Sequence, residues 1–144
     1  MEREGHAEVE DRLRRTRQRY TAGRRQLVDA LAASERPLTI PELRDGGVDQ
    51  SQSSVYRNLA ILEQCGVVRR LASSDDTARF ELAEDLTEHH HHLVCSDCGT
   101  IEDIALSPAV ESALAAAVDE ARSRHRFSAD AHRFELVGSC ADCA

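Results

Sequence analysis

The chain has 144 residues, 41% of them hydrophobic but only 3% aromatic and none tryptophan, which allows one domain or two small ones but no single large core. It contains no run of 18 apolar residues and no charged-then-apolar leader, so it reads as a soluble, cytoplasmic protein without a membrane partner. The net charge of −8 argues against nucleic acid only until it is divided. Residues 1–80 carry +1, residues 81–144 carry −9, and eight arginines fall within residues 1–25, so the start of the chain is still suited to phosphate.

In chain order, residues 1–7 are polar and read as a frayed end. A charged helical segment follows from about Val9 to Gln18 and reads as a solvated face. Thr21 has the character of an N-cap for a helix over residues 22–33, which Pro37 ends. Thr39, Pro41 and Glu42 start a short helix that Gly46-Gly47 stops after two turns. Ser51-Gln52-Ser53-Ser54 leads into a longer helix with Val55, Leu59 and Leu62 on one face and Gly66 beyond its end. Two short strands, Val67–Leu71 and Arg79–Leu82, flank a Ser73-Ser74-Asp75-Asp76 turn. A short helix, a turn, a longer helix and a β-hairpin is the order of a winged helix-turn-helix. The helix after the turn would be the recognition helix, and its leading residues Ser51, Gln52, Ser54, Tyr56 and Arg57 are a groove-reading set. A packed aromatic and a surface charge are the plainer alternative for Tyr56 and Arg57.

Residues 83–88 read as a hinge. Beyond it the pattern predicts strands His91–Cys95 and Thr100–Ala105, a helix over 108–125 with an apolar stripe of Val110, Leu114, Ala117, Val118 and Ala121, and a last strand Arg133–Gly138. One helix on a few strands leaves open edges and an open face, which favours a dimer.

The segment His89-His90-His91-His92-Leu93-Val94-Cys95-Ser96-Asp97-Cys98 holds six transition-metal ligands in ten residues. On an extended backbone, period 2 sends His89 and His91 to one face and His90 and His92 to the other, so four adjacent histidines can seed two sites. A tag-like solvated run is the alternative, but this one lies in mid-chain beside a Cys-x-x-Cys. Cys95, Cys98, Cys140 and Cys143 form two such pairs, the donor set of a closed structural Zn(II) site, with a disulfide or redox role as the alternative. Glu111 and His132 are candidate partners for His89 and His91. Glu81, at the end of the second wing strand, is a candidate for His90 and His92, with Asp85 and Glu88 also possible. A site using Glu81 would tie the wing to the second domain across the hinge, as a metal sensor requires.

The pieces Arg19-Tyr20-Thr21-x-x-Arg24, Ser54-Val55-Tyr56-Arg57-Asn58-Leu59, Gly66-Val67-Val68, Phe80-Glu81-Leu82, the His run through Cys98-Gly99 and the final Cys-x-x-Cys together resemble the ferric uptake regulator (Fur) family of metal-dependent repressors. The match spans about residues 17–143. The resemblance implies an α+β chain: an N-terminal winged helix-turn-helix domain (1–82), a hinge (83–88) and a C-terminal α/β dimerisation and metal-binding domain (89–144). It implies a V-shaped homodimer that metal closes onto AT-rich double-stranded operators, repressing metal-uptake genes. It places Arg19 in the minor groove and gives Tyr56 and Arg57 thymine and phosphate contacts. It makes Cys95, Cys98, Cys140 and Cys143 the structural Zn(II) site, His89, His91, Glu111 and His132 the dimerisation-domain site, and Glu81, His90 and His92 the hinge sensor.

Two departures bear on the metal. The His that family members supply before the second helix of the DNA-binding domain is missing from Arg36-Pro37-Leu38-Thr39. The Cys of actinobacterial zinc sensors is replaced by Ala83. The fourth hinge ligand is therefore open. The nitrogen-rich His run points to the zinc-sensing branch and the Phe80-Glu81-Leu82 context to Fe(II), with an iron- or manganese-sensing regulator as the alternative. An enzyme is not expected, since no nucleophile elbow, His-Glu-x-x-His or base beside an open metal position occurs. A metal store or chaperone is the alternative from another class, but it leaves the arginine-rich start and the Ser/Gln/Tyr/Arg helix without a role.

Overall fold

The computed structural model describes residues 1–144. Helices α1 (Arg3–Arg15), α2 (Ala22–Ala32), α3 (Ile40–Asp45) and α4 (Gln52–Gln64) precede a hairpin of β1 (Val68–Leu71) and β2 (Arg79–Leu82). A 3₁₀ turn (Glu84–Leu86) leads to β3 (His91–Cys95), β4 (Ile101–Ile104), α5 (Pro108–His125) and β5 (Glu135–Gly138). The mixture is α+β: a winged helix-turn-helix followed by an α/β unit of the kind that dimerises.

Local chemistry sets the helix starts. Thr21 and Ser51 each accept a backbone N–H in the first turn of α2 and α4. Thr39 and Glu42 form a reciprocal capping box at α3. One expectation is corrected here. Residues 1–7 are not frayed, because α1 begins at Arg3 and its Val9 and Leu13 are fully buried. Arginines at 12, 14 and 15 mask an apolar edge only two residues wide.

Fifteen residues from Val9 to Leu82 make one core, centred on Leu27, Val28, Leu43, Val55, Leu59 and Leu62. β1 and β2 pair antiparallel, and Leu38 exchanges two backbone hydrogen bonds with Phe80, which ties the segment before α3 to the wing.

The second half has almost no core of its own. Its sheet runs β4-β3-β5, with β3 antiparallel to β4 and parallel to β5. α5 buries no residue, and Leu136 and Val137 on β5 are 49% and 69% exposed. Of the apolar stripe read along α5, Val110 and Ala117 are exposed and Leu114, Val118 and Ala121 are only half-buried in the single chain. Surface of this kind is what an obligate interface covers.

Candidate metal centres and nucleic-acid face

Three ligand clusters form, and in each the ligand atoms lie within 4.8 Å of one another. Cys95, Cys98, Cys140 and Cys143 make the first. β3 ends at Cys95 and pairs in parallel with β5, and this brings the two Cys-x-x-Cys turns together. Gly99 (φ +73°) closes the first turn in a conformation that L side chains rarely adopt. The Cys98 and Cys140 sulfurs are 3.8 Å apart. Four sulfurs about 2.3 Å from a tetrahedral Zn(II) would be separated by roughly the same distance. The thiols also divide electrically. Backbone N–H groups of Cys98 and Cys140 lower the Cys95 thiol to about 6, while hydrogen bonds with Cys140 and Cys98 raise Cys143 to about 12. Four thiols this close cannot all ionise without a cation, so the donor set fits one.

His89, His91, Glu111 and His132 make the second cluster. His91 Nε2 is 2.9 Å from Glu111 Oε1, His89 Nε2 is 3.2 Å from His91 Nε2, and His132 Nε2 is 3.7 Å from Glu111 Oε2. His132 Nε2 is buried without a hydrogen-bond partner. A buried ligand atom left unpaired is costly unless something else satisfies it.

The third cluster joins the wing to the second sheet. Glu81 on β2 has 7% of its surface exposed, and its Oε2 lies 2.9 Å from His92 Nε2 and 3.4 Å from His90 Nε2. Asp103 on β4 completes the set, its Oδ1 3.7 Å from His92 Nε2 and 4.0 Å from His90 Nε2, buried and without a hydrogen bond. Burial raises the Asp103 carboxyl above its ordinary value, with the nearby imidazoles opposing. Burial also pushes Glu81 up, but the His92 hydrogen bond and charge, with Arg69, outweigh it and the net shift is downward. The Nδ1–H of His90 donates to the Glu88 carbonyl at 2.9 Å, which leaves Nε2 free to ligate. Two imidazoles and two carboxylates fit a divalent cation.

Asp103 was not among the residues singled out from sequence. It is the cross-strand partner of His92, and opposed residues share a face, so the hairpin register was the signal that would have found it. The other hinge candidates are not in the cluster: Asp85 pairs with Arg12, and Glu88 meets His90 only through its backbone carbonyl.

On the helix-turn-helix face, Tyr56 is 56% exposed, and Arg19, Arg57, Ser51 and Gln52 also face solvent. The packed-aromatic alternative for Tyr56 therefore fails. Ser51 and Ser54 are partly committed to each other, since Ser51 caps α4 through the Ser54 N–H and donates to Ser54 Oγ at 2.9 Å. Sequence reasoning gave no role to Arg24, which is 8% exposed. Its Nε donates to Asn58 on α4, and its two Nη groups donate to the Arg19 carbonyl and to Gln18 Oε1. Those contacts hold the Arg19 loop against α4.

Comparison with known proteins places these features in a family. A family model described as the ferric uptake regulator family matches residues 15–137. The peroxide-responsive repressor PerR of Staphylococcus saprophyticus is 30% identical over 136 residues, covering 91% of this chain and 86% of its own. The Helicobacter pylori ferric uptake regulator Fur, described with three functional metal-binding sites, superposes with TM-score 0.72 at 25% identity over 97% of this chain and 91% of its own. A zinc-bound manganese uptake regulator superposes with TM-score 0.63 at 29% identity over 92% of this chain and 98% of its own.

Proposed function

The chain belongs to the ferric uptake regulator family of metal-responsive regulators, and on that premise we propose that it represses metal-uptake genes by binding AT-rich operators as a metal-loaded homodimer. The observation that carries the proposal is the cluster of Glu81, His90, His92 and Asp103, because its ligands come from both sides of the hinge. A divalent cation bound there supplies the positive charge that two carboxylates and two imidazoles can share.

The chain's own residues turn that sharing into orientation. Glu81 lies on β2, and β2 is fixed to the α3 side through the Leu38–Phe80 bridge and to α2 and α4 through the core. His90, His92 and Asp103 belong to the second sheet and its approach. Drawing Glu81 onto them sets the angle of the recognition helix relative to the dimer axis. In a palindromic operator two such helices must reach half-sites at fixed spacing, so a fixed angle decides affinity. Without the ligated state the two units sample other angles and the operator complex weakens.

We assign Cys95, Cys98, Cys140 and Cys143 to structural Zn(II), and His89, His91, Glu111 and His132, three nitrogens and one oxygen, to a second ion suited to Zn(II). For the hinge sensor, Asp103 as a second carboxylate moves the reading from Zn(II) toward Fe(II) or Mn(II), which favour more oxygen. The exposed α5 and β5 surface is assigned to the homodimer interface. A store or chaperone would not need Tyr56 and Arg57 presented on an exposed helix face.

The test is binding to a pool of AT-rich palindromic duplexes by metal-loaded wild type and by Tyr56→Ala and Arg57→Ala. Tyr56→Ala is expected to lose about 1–3 kcal/mol of sequence discrimination. Arg57→Ala is expected to weaken all sequences alike and to lower the salt slope by about one. Binding unchanged in both variants would remove α4 from the interface.

A further inference from the structure

We propose that Arg69, acting with Glu84, is a positioning bridge that couples the two histidine clusters, so that filling the hinge cluster weakens the other. The inference rests on the metal-site reading above, and it concerns residues outside both ligand sets.

Arg69 lies on β1, and its guanidinium reaches a crevice lined by His90, His91, His92 and His132, ligand candidates from both clusters. Its two Nη groups face different carboxylates. Nη2 is 2.9 Å from Glu81 Oε1, and Nη1 is 3.4 Å from Glu84 Oε2. Each carboxylate turns its second oxygen to a different cluster. Glu81 Oε2 meets His92 and His90. Glu84 Oε1 accepts the Nδ1–H of His89, which leaves His89 Nε2 directed at His91 Nε2 and, at 3.4 Å, at Glu111 Oε2. The contacts therefore run without a break from one cluster to the other: His92, Glu81, Arg69, Glu84, His89.

The sign of the coupling follows from charge. A carboxylate that accepts the outer N–H of a ligating imidazole fixes its tautomer and raises its basicity, and Glu84 does this for His89. When Glu81 Oε2 is shared with a dication, Glu81 holds Arg69 less strongly, and the dication repels the guanidinium. Arg69 then pairs more closely with Glu84, at present its looser contact. Glu84 charge drawn toward Arg69 is withdrawn from His89, and His89 becomes the weaker ligand. By linkage, an ion in the His89 cluster must weaken the hinge cluster by the same factor. The two ions would then load at separated concentrations, and not as one event.

The experiment uses full-length protein with its four-cysteine zinc retained, titrated with Co(II) and followed by ligand-field absorption and calorimetry. His92→Ala disables the hinge cluster without touching Arg69, and His132→Ala disables the other. Expected is an affinity of the His89 cluster about five-fold or more higher in His92→Ala than in wild type with its hinge cluster filled. That ratio should fall to one when Arg69→Met is added. Glu84→Ala, an independent break at the far end of the bridge, should also abolish the ratio and in addition weaken the His89 cluster about 10- to 100-fold. If two Co(II) ions bind and the ratio is one in wild type, or persists in Arg69→Met and Glu84→Ala, the bridge is overturned and the metal-site reading stands. If no Co(II) binds beyond the cysteine site, both are overturned.

Discussion

Asp103 shows how one side chain completes a site. It brings a second carboxylate to a place already holding Glu81, which the protein tolerates by setting His90 and His92 against both and Arg69 against Glu81. Removing its charge should leave the fold intact and the cluster one hard ligand short. Asp103→Asn is therefore expected to lower hinge-cluster affinity for Fe(II) or Mn(II) at least ten-fold, with less effect on Zn(II), as read by competition against a chelating dye. Equal losses for all three ions would argue against the oxygen-donor reading. The nitrogen and sulfur ligands in this region were legible from sequence because His and Cys are few and closely spaced. Asp103 was not, because Glu102 next to it is as acidic. Only the pairing of β3 with β4 distinguishes the carboxylate opposite His92 from the one opposite Leu93.

Among the elements, α1 and α3 show how charge and burial share the work. α1 is rich in arginine, yet Val9 and Leu13 carry its packing and Arg12 reaches the Gly66 carbonyl and Asp85. Leu13→Ala should destabilise the protein by about 2–5 kcal/mol in urea unfolding, whereas Arg14→Ala, on the exposed face, should cost little. Equal effects would show that α1 is not docked. In sequence, two buried positions among many charges do not make a readable amphipathic stripe, which is why α1 read as solvated.

α3 depends on its capping box. Burial raises the Glu42 carboxyl, but hydrogen bonds from Arg36 and from the Thr39 N–H and hydroxyl outweigh it, and the group ends below its ordinary 4.5. A depressed carboxylate contributes stability that is present above the unfolded value and lost as pH falls through the folded one. Glu42→Gln should therefore lower Tm at pH 7, and its difference from wild type should shrink as pH falls below 4.5 and through the lowered folded value. A difference independent of pH would mean that the ionised form of Glu42 is not what stabilises α3. The Thr39-x-x-Glu42 spacing was legible in the sequence. The pairing with Arg36 was not.

At the scale of the whole molecule, the core is confined to the first 82 residues, and the second half holds its ligands on a three-stranded sheet with an exposed helix. No helix is long and apolar enough to cross a membrane. The order of elements and the two Cys-x-x-Cys pairs revealed this division in sequence. The way the halves touch was hidden, because contacts such as Ser73 Oγ to the Gly99 carbonyl and Glu81 to His92 join residues far apart in the chain. Those contacts are what a sensor must control. The central claim is that operator binding depends on ligation across the hinge. It is tested most directly by DNA binding of the dimer holding only its four-cysteine zinc, titrated separately with buffered Zn(II), anaerobic Fe(II) and Mn(II). The account predicts weak binding at the start and tight binding once the hinge cluster fills at micromolar Fe(II) or Mn(II). A response already at sub-nanomolar Zn(II) would reassign the sensor to zinc. Binding that is equally tight without added metal, or absent at every loading, would contradict the account.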